Sequence, residues 1–156
     1  MKSIVRVLAF LTIIPLLGGC FWSAKKESKL VIINVLDPDY YQDCHITGSI
    51  NIPFEQFEDA IRSMNKQDNY VTYCSNYTCT AAPFAAGMMQ DQGFEHVSVL
   101  PGGIVDWYQK GLPVQGLAQK EYLKDENEPL DGHADKSIAI ITTERLHELM
   151  IAAKLI

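Results

Sequence analysis

An unbroken run of apolar and β-branched residues, Leu30-Val31-Ile32-Ile33-Asn34-Val35-Leu36, constrains the fold of this chain more than any other feature. A strand with one solvent-exposed face alternates apolar and polar residues, and this run contains almost no such alternation. It therefore indicates a strand buried on both faces, as in a parallel sheet covered by helices. Two more apolar segments, at 70–73 and 96–100, are separated by helical patterns, which predicts an α/β fold with a parallel sheet.

Helices are predicted between the strands. Aromatic and aliphatic side chains at helical spacing favour a short helix near 54–64. Thr80 is placed to cap a helix over 81–92, and Gly93 is placed to end it. A short helix through Trp107 follows the third strand, and Gly111 is placed to end it.

Size and charge exclude several classes of protein. The 156 residues suit one domain with a short extension. Lys and Arg total 13 against 19 Asp and Glu, a net charge of −6 with no basic run, so we expect no nucleic-acid partner. The 4 cysteines are too few for a disulfide-dense miniprotein, and the 4 histidines lack metal-ligand spacing. We expect no metal and no other cofactor.

The first twenty residues have the pattern of a targeting segment. Lys2 and Arg6 precede an apolar stretch at 7–17, which is shorter than the roughly 20 residues of a spanning helix. The ending Leu17-Gly18-Gly19-Cys20 resembles the bacterial lipobox. That resemblance implies cleavage of a signal peptide at 1–19 and acylation of Cys20 by chains such as palmitate.

The predicted location is the bacterial cell envelope, with a lipid anchor in the membrane and the domain facing the periplasm. Phe21, at the second mature position, resembles the outer-membrane sorting class. The alternative interpretation is an uncleaved membrane anchor.

Cys74 is the candidate nucleophile. It follows the second strand directly, and a short loop then closes at a helix start. Loop amides and a helix N-terminus favour a thiolate and would stabilise a persulfide or an oxyanion on its sulfur. The predicted cradle is Ser75, Asn76, Tyr77, Thr78, Cys79 and Thr80. The alternative is a buried structural cysteine.

Several motifs occur in a characteristic order along the chain. They are His45-Ile46-Thr47-Gly48-Ser49-Ile50-Asn51-Ile52-Pro53, Tyr73-Cys74, Gly93-Phe94, Leu100-Pro101-Gly102-Gly103 with Trp107, and Gly111-Leu112-Pro113-Val114. Together they resemble the rhodanese family, over about residues 31–114. The resemblance implies a parallel five-stranded sheet flanked by helices. It also implies a sulfurtransferase that carries sulfane sulfur as a persulfide on Cys74, with the 75–80 segment as the cradle.

The loop departs from the family pattern in two places. Its six residues, Cys74 to Cys79, resemble the rhodanese loop rather than the longer loop of related phosphatases. Tyr77 stands where the family has glycine, and Cys79 where it has arginine. Without that cation we expect poor thiosulfate turnover, and a small neutral donor or a protein thiol as the partner.

Two other functions stay open. Cys79 could resolve a persulfide or sulfenic acid on Cys74 by forming a disulfide, which would make the chain a thiol–disulfide or persulfide redox protein. Cys44 is a second candidate partner for Cys74, because the family geometry brings the histidine turn near the loop. The third interpretation is a non-catalytic binding module. In each case His45 is interpreted as structural.

The predicted organisation is a tether at 20–29, a rhodanese-like domain at 30–114, an acidic linker at 115–137 and a strand and helix at 138–156. The last segment resembles the strand and helix with which rhodanese domains usually begin. We therefore interpret the domain as circularly permuted, with this segment filling the N-terminal slot of a monomer. The alternatives are a swap onto another copy or the stump of a second domain.

Overall fold

The computed structural model describes residues 28–129 and 137–156. The predicted signal peptide, Cys20 and most of the predicted tether lie outside the described residues, as does the 130–136 part of the predicted linker. No helix in the described part of the chain is long and apolar enough to cross a membrane.

Strands and helices alternate along the described chain. The strands are β1 (Leu30–Asn34), β2 (His45–Ile46), β3 (Ile50–Asn51), β4 (Asn69–Tyr73), β5 (His96–Leu100), β6 (Val114–Gln115) and β7 (Ala139–Ile140). The α-helices are α1 (Pro38–Asp43), α2 (Phe57–Ala60), α3 (Ala81–Asp91), α4 (Gly103–Gln109) and α5 (Thr143–Ala152). Short 3-10 helices span Phe54–Gln56, Ile61–Ser63 and Glu121–Lys124. The predicted helix near 54–64 is therefore three consecutive short helical segments.

Five strands form one parallel sheet in the order β3-β1-β4-β5-β7. In the central register Ile32 pairs with Val71, and Val71 pairs with Ser98. The prediction of a parallel five-stranded sheet flanked by helices is confirmed. A separate antiparallel pair joins β2 to β6, with His45 opposite Gln115.

Each face of the sheet is covered by its own apolar core. Ile33 lies in the core beneath α3, with Phe57 and Met89, while its neighbour Ile32 lies in the core on the other face, with Trp107. Successive residues of β1 thus point into opposite cores, because side chains alternate across a strand. The run from Leu30 lacks polar alternation for this reason.

The C-terminal segment adds the edge strand of the same sheet. Residues Ala139 and Ile140 of β7 pair with Ser98 and Val99 of β5 in parallel register. The Thr142 hydroxyl caps α5 by accepting a hydrogen bond from the Arg145 amide at 3.2 Å. Leu146 and Met150 of α5 are fully buried in the Trp107 core, along with Leu123. That this segment replaces the family's opening strand and helix stays a hypothesis.

The predicted acidic linker at 115–137 packs against the domain over its described part. Gln115 belongs to β6, and Leu123 is 1% exposed within the 3-10 helix Glu121–Lys124. The amides of Gln119 and Lys120 donate to the two carboxylate oxygens of Asp43, at 3.0 and 3.1 Å. Leu123, set among acidic residues, packs this stretch into the core, and the average composition of the stretch does not reveal it.

One short helix was not predicted, and one predicted cap is absent. The polar residues after β1 form α1, with Pro38 at its first turn, where a missing N–H costs nothing. Thr80 occupies the N-cap position of α3, but its side chain makes no capping hydrogen bond. Its backbone is already helical, with φ −89° and ψ −10°, whereas a capping hydroxyl needs an extended residue.

Candidate functional site

The site lies at the carboxyl edge of the sheet, where α/β proteins commonly place their ligands. Cys74 follows β4, the central strand, and is 2% exposed. The loop that follows is partly buried at Ser75, Asn76 and Tyr77, exposed at Thr78 and Thr80, and half-buried at Cys79. It leads directly into α3.

A disulfide joins Cys74 to Cys79, with the two Cα atoms 6.4 Å apart. The Cys74 Sγ lies 3.4 Å from the carbonyl oxygen of Cys79. The loop is thus in its oxidised form, and the disulfide partner of Cys74 is Cys79.

Cys44, the other candidate partner, is unpaired and buried. It packs in the Trp107 core, whereas Cys74 packs in the core beneath α3, so the sheet separates them. Burial, reinforced by the neighbouring Asp43 carboxylate, raises the pKa of the Cys44 thiol to about 11. A thiol of this kind is unreactive near neutral pH.

In the oxidised form three loop amides donate to other acceptors. The Tyr77 amide donates to Oδ1 of Asn127 at 3.1 Å, and the Thr78 amide donates to Oδ1 of Asn76 at 3.2 Å. The Cys79 amide donates to the Asn76 carbonyl at 3.2 Å. An amide cradle around a Cys74 persulfide therefore requires these amides to turn, and it stays a prediction for the reduced form.

The start of α4 holds the beginning of the loop. The amides of Ile104 and Val105 donate to the carbonyls of Cys74 and Ser75, both at 2.9 Å. Gly103 makes this approach possible, because its φ is +60° and an added Cβ would lie 2.5 Å from the Cys74 oxygen. The chain is therefore firmly fixed at Cys74.

Among the described residues, the charges beside the loop do not replace the arginine that the family has at position 79. The Lys110 ammonium contacts Asp106 at 2.8 Å and Glu144 at 2.7 Å, so two carboxylates surround one cation. The Thr143 hydroxyl donates to the Asp106 carboxylate as well. Burial and the Asp106 carboxylate raise the pKa of the Tyr77 phenol, which places this loop residue near the same acidic group.

Asn127 is a site residue that the sequence analysis missed. Besides accepting from Tyr77, its side-chain amide donates to the Gly102 carbonyl at 3.0 Å. It thereby bridges the loop from Cys74 to Cys79 and the turn before α4. Asn127 lies 50 residues after Tyr77 in an acidic stretch, and no local signal marks it.

His45 has the structural role expected of it. Its Nδ1 lies 2.7 Å from the Tyr41 carbonyl, and its Nε2 lies 3.1 Å from Oε1 of Gln115. The imidazole also stacks on the Tyr41 ring, with the centroids 3.8 Å apart. These contacts join α1, β2 and β6.

A parallel five-stranded sheet with a cysteine after its central strand, followed by a six-residue loop and a helix, defines an α/β domain of the rhodanese type. The profile of the family described as Rhodanese-like domain matches residues 20–110. The chain belongs to this family.

Curated relatives include two kinds of protein. An HTH-type transcriptional regulator of Mycobacterium tuberculosis is 32% identical over 111 residues, which are 71% of this chain and 44% of the regulator. The chain thus spans less than half of that relative's length. Thiosulfate sulfurtransferase GlpE of Coxiella burnetii is 27% identical over 86 residues, which are 55% of this chain and 78% of the relative.

Solved structures with a similar fold have a sequence identity close to that of the curated relatives. A protein from Bacillus halodurans superposes with a TM-score of 0.53 at 32% identity, over 57% of this chain and 65% of the other. The rhodanese-like domain of a protein from Anabaena gives a TM-score of 0.52 at 31% identity, over 57% of this chain and 89% of the other.

Proposed function

We propose that this protein is a sulfurtransferase that carries sulfane sulfur as a persulfide on Cys74. The observation that carries the proposal is the position of Cys74 after the central strand of a rhodanese-like domain, in a loop that leads into a helix. The name of the relative GlpE, thiosulfate sulfurtransferase, supports the class of reaction.

The reaction starts from the reduced loop. The Cys74 thiolate attacks the sulfane sulfur of a donor, a sulfur–sulfur bond forms, and the donor leaves without that sulfur. An acceptor nucleophile then attacks the terminal sulfur of the persulfide, and the electron pair of the broken bond returns to Cys74. The amides of Tyr77, Thr78 and Cys79 stabilise the persulfide anion once they leave their present acceptors.

The donor is a neutral small molecule or a protein thiol that bears sulfane sulfur. Cys79 replaces the cation that would hold thiosulfate, and Lys110 is engaged by Asp106 and Glu144. An anionic donor thus meets a local excess of carboxylate, which repels it.

The test is the transfer of sulfur to cyanide, which yields thiocyanate, starting from fully reduced protein. We expect turnover with an uncharged organic persulfide donor, weak turnover with thiosulfate, none in Cys74→Ser, and retained turnover in Cys79→Ser. Thiocyanate formation by Cys74→Ser at the wild-type rate would refute the proposal.

A second function is favoured by the disulfide itself. The Cys79 thiolate can attack Cys74 Sγ in the persulfide, which forms the disulfide and expels the terminal sulfur as sulfide. In that case the reduced wild type releases one equivalent of sulfide when a persulfide donor is added. The Cys79→Ser variant keeps its persulfide on Cys74. If neither cysteine gains sulfur and no disulfide forms, the non-catalytic binding module is supported instead.

The proposed location is the cell envelope, with the domain held as a monomer at a membrane surface by acyl chains on Cys20. The support is the sequence pattern around Leu17–Cys20. Labelling of growing cells with an alkynyl palmitate analogue tests it. We expect label on the wild type and none on Cys20→Ala, and an unlabelled wild type would contradict the anchor.

A further inference from the structure

The two cysteines of the disulfide differ in burial, although both contact the core beneath α3. Cys74 is 2% exposed and packs in the core beneath α3. Cys79 is half-buried and lies between two exposed residues, Thr78 and Thr80. A thiol approaching from solvent therefore reaches the Cys79 side of the bond first.

The two ends of the loop also differ in how they are held. The carbonyls of Cys74 and Ser75 each accept a hydrogen bond from the start of α4. The amide of Cys79 bonds within the local turn, to the carbonyl of Asn76. Outward movement of Cys79 therefore breaks no hydrogen bond between its amide and another helix or strand.

Thiol–disulfide exchange imposes a direction on the attack. The incoming thiolate, the attacked sulfur and the leaving sulfur lie nearly in line, so the attacker must stand on the far side of the sulfur it attacks. An attacker at Cys74 must reach a residue that is 2% exposed, whereas an attacker at Cys79 meets a half-buried residue. In the second case Cys74 is the leaving group.

We propose that outside thiols attack the oxidised protein at Sγ of Cys79, so that a mixed disulfide forms there and Cys74 leaves as the thiolate. The partner is a dithiol reductant. Its first thiolate bonds to Cys79 as the Cys74–Cys79 bond breaks, with the electron pair passing to Cys74. Its second thiolate then attacks its own sulfur in the mixed disulfide, which releases Cys79 and oxidises the partner to a disulfide.

This inference deepens the proposed function, because the first product is a free Cys74, the group proposed to accept sulfur. Cys79 would therefore have two roles: it resolves the persulfide, and it is the sulfur that the reductant attacks. The order of events distinguishes this from attack at Cys74, which would leave the nucleophile blocked by the partner.

The experiment uses the oxidised wild type with glutathione as the probe thiol. Samples are quenched at increasing times with N-ethylmaleimide, and fragmentation of the peptide that contains both cysteines locates each adduct. At the earliest times we expect glutathione on Cys79 and maleimide on Cys74. The matched control is the same protein unfolded in urea, where both sulfurs are accessible and both adduct patterns should appear.

Glutathione on Cys74 in the folded protein, or the same adduct ratio folded and unfolded, would overturn the inference. A wild type that diamide cannot oxidise to the Cys74–Cys79 disulfide would overturn it as well. The proposed function fails by a different result, since it depends on sulfur transfer by the reduced protein, which this experiment does not use.

Discussion

Asn127 should stabilise the oxidised form of the loop. Its side chain accepts from the Tyr77 amide and donates to the Gly102 carbonyl, at 3.1 and 3.0 Å, while Cys74 and Cys79 are joined. A persulfide or thiolate on Cys74 would compete for the same Tyr77 amide. The substitution Asn127→Ala should therefore destabilise the disulfide form more than the reduced form.

The size of the effect follows from the Tyr77 bond, because nothing ties the bond to the Gly102 carbonyl to the redox state of the cysteines. A hydrogen bond contributes a net free energy of about 0.5–1.5 kcal/mol, so the oxidised form loses about that much relative to the reduced form. For a two-electron couple 1.4 kcal/mol corresponds to about 30 mV, so the reduction potential should rise by about 10–30 mV. The variant protein is then more easily reduced.

The assay equilibrates each protein in dithiothreitol buffers of graded ratio and measures the oxidised fraction by mass. Gln109→Ala is the matched control, because the Gln109 amide holds the same segment through the Leu123 and Asp125 carbonyls, at 3.1 and 2.8 Å, without touching the loop. We expect its potential to equal that of the wild type. An unchanged potential in Asn127→Ala, or an equal shift in Gln109→Ala, would show that Asn127 does not stabilise the oxidised loop.

Three further predictions concern the core and the thiols. Leu123→Ala should lower the free energy of unfolding by about 2–5 kcal/mol in urea titrations, since Leu123 is 1% exposed, whereas Leu117→Ala, at a side chain 76% exposed, should change it little. Gly103→Ala should slow sulfur transfer and lower the free energy of unfolding by about 1–3 kcal/mol, because a Cβ there lies 2.5 Å from the loop backbone. Gly87→Ala, whose Cβ has nothing within 4 Å, should lower neither the transfer rate nor the free energy of unfolding. Cys44 should resist iodoacetamide at pH 8 in the folded protein and react once urea unfolds it. Because folding raises its pKa from 9.0 to about 11, the folded state binds its proton more tightly, so stability should fall as the pH rises through that window. The fall should be shallower in Cys44→Ala, where tyrosines with a raised pKa, such as Tyr77, still contribute.

Features fixed by neighbouring residues could be predicted from the sequence. The run at Leu30 predicted a strand buried on both faces, and Gly93 and Gly111 marked the ends of α3 and α4, where both have positive φ. The candidate nucleophile could also be located, because Cys74 follows β4 directly. These signals are local, and no later contact overrides them.

Features that depend on distant partners could not be predicted. Leu123 packs in the Trp107 core and Asn127 bonds to the loop after Cys74, yet both belong to a stretch whose acidic composition indicates a solvated linker. Thr80 was expected to cap α3 by its residue type, but its backbone conformation prevents this. The choice between Cys79 and Cys44 as partner depends on which face of the sheet each thiol occupies, and sequence spacing does not determine that.

The proposed sulfur transfer requires Cys74 to carry the sulfur. It can be tested by the intact mass of reduced Cys79→Ser after incubation with a sulfane-sulfur donor, followed by localisation of the added mass. We predict a gain of one sulfur atom on Cys74, which disappears when cyanide is added. An unchanged mass, or added sulfur on Cys44, would show that Cys74 is not the sulfur carrier.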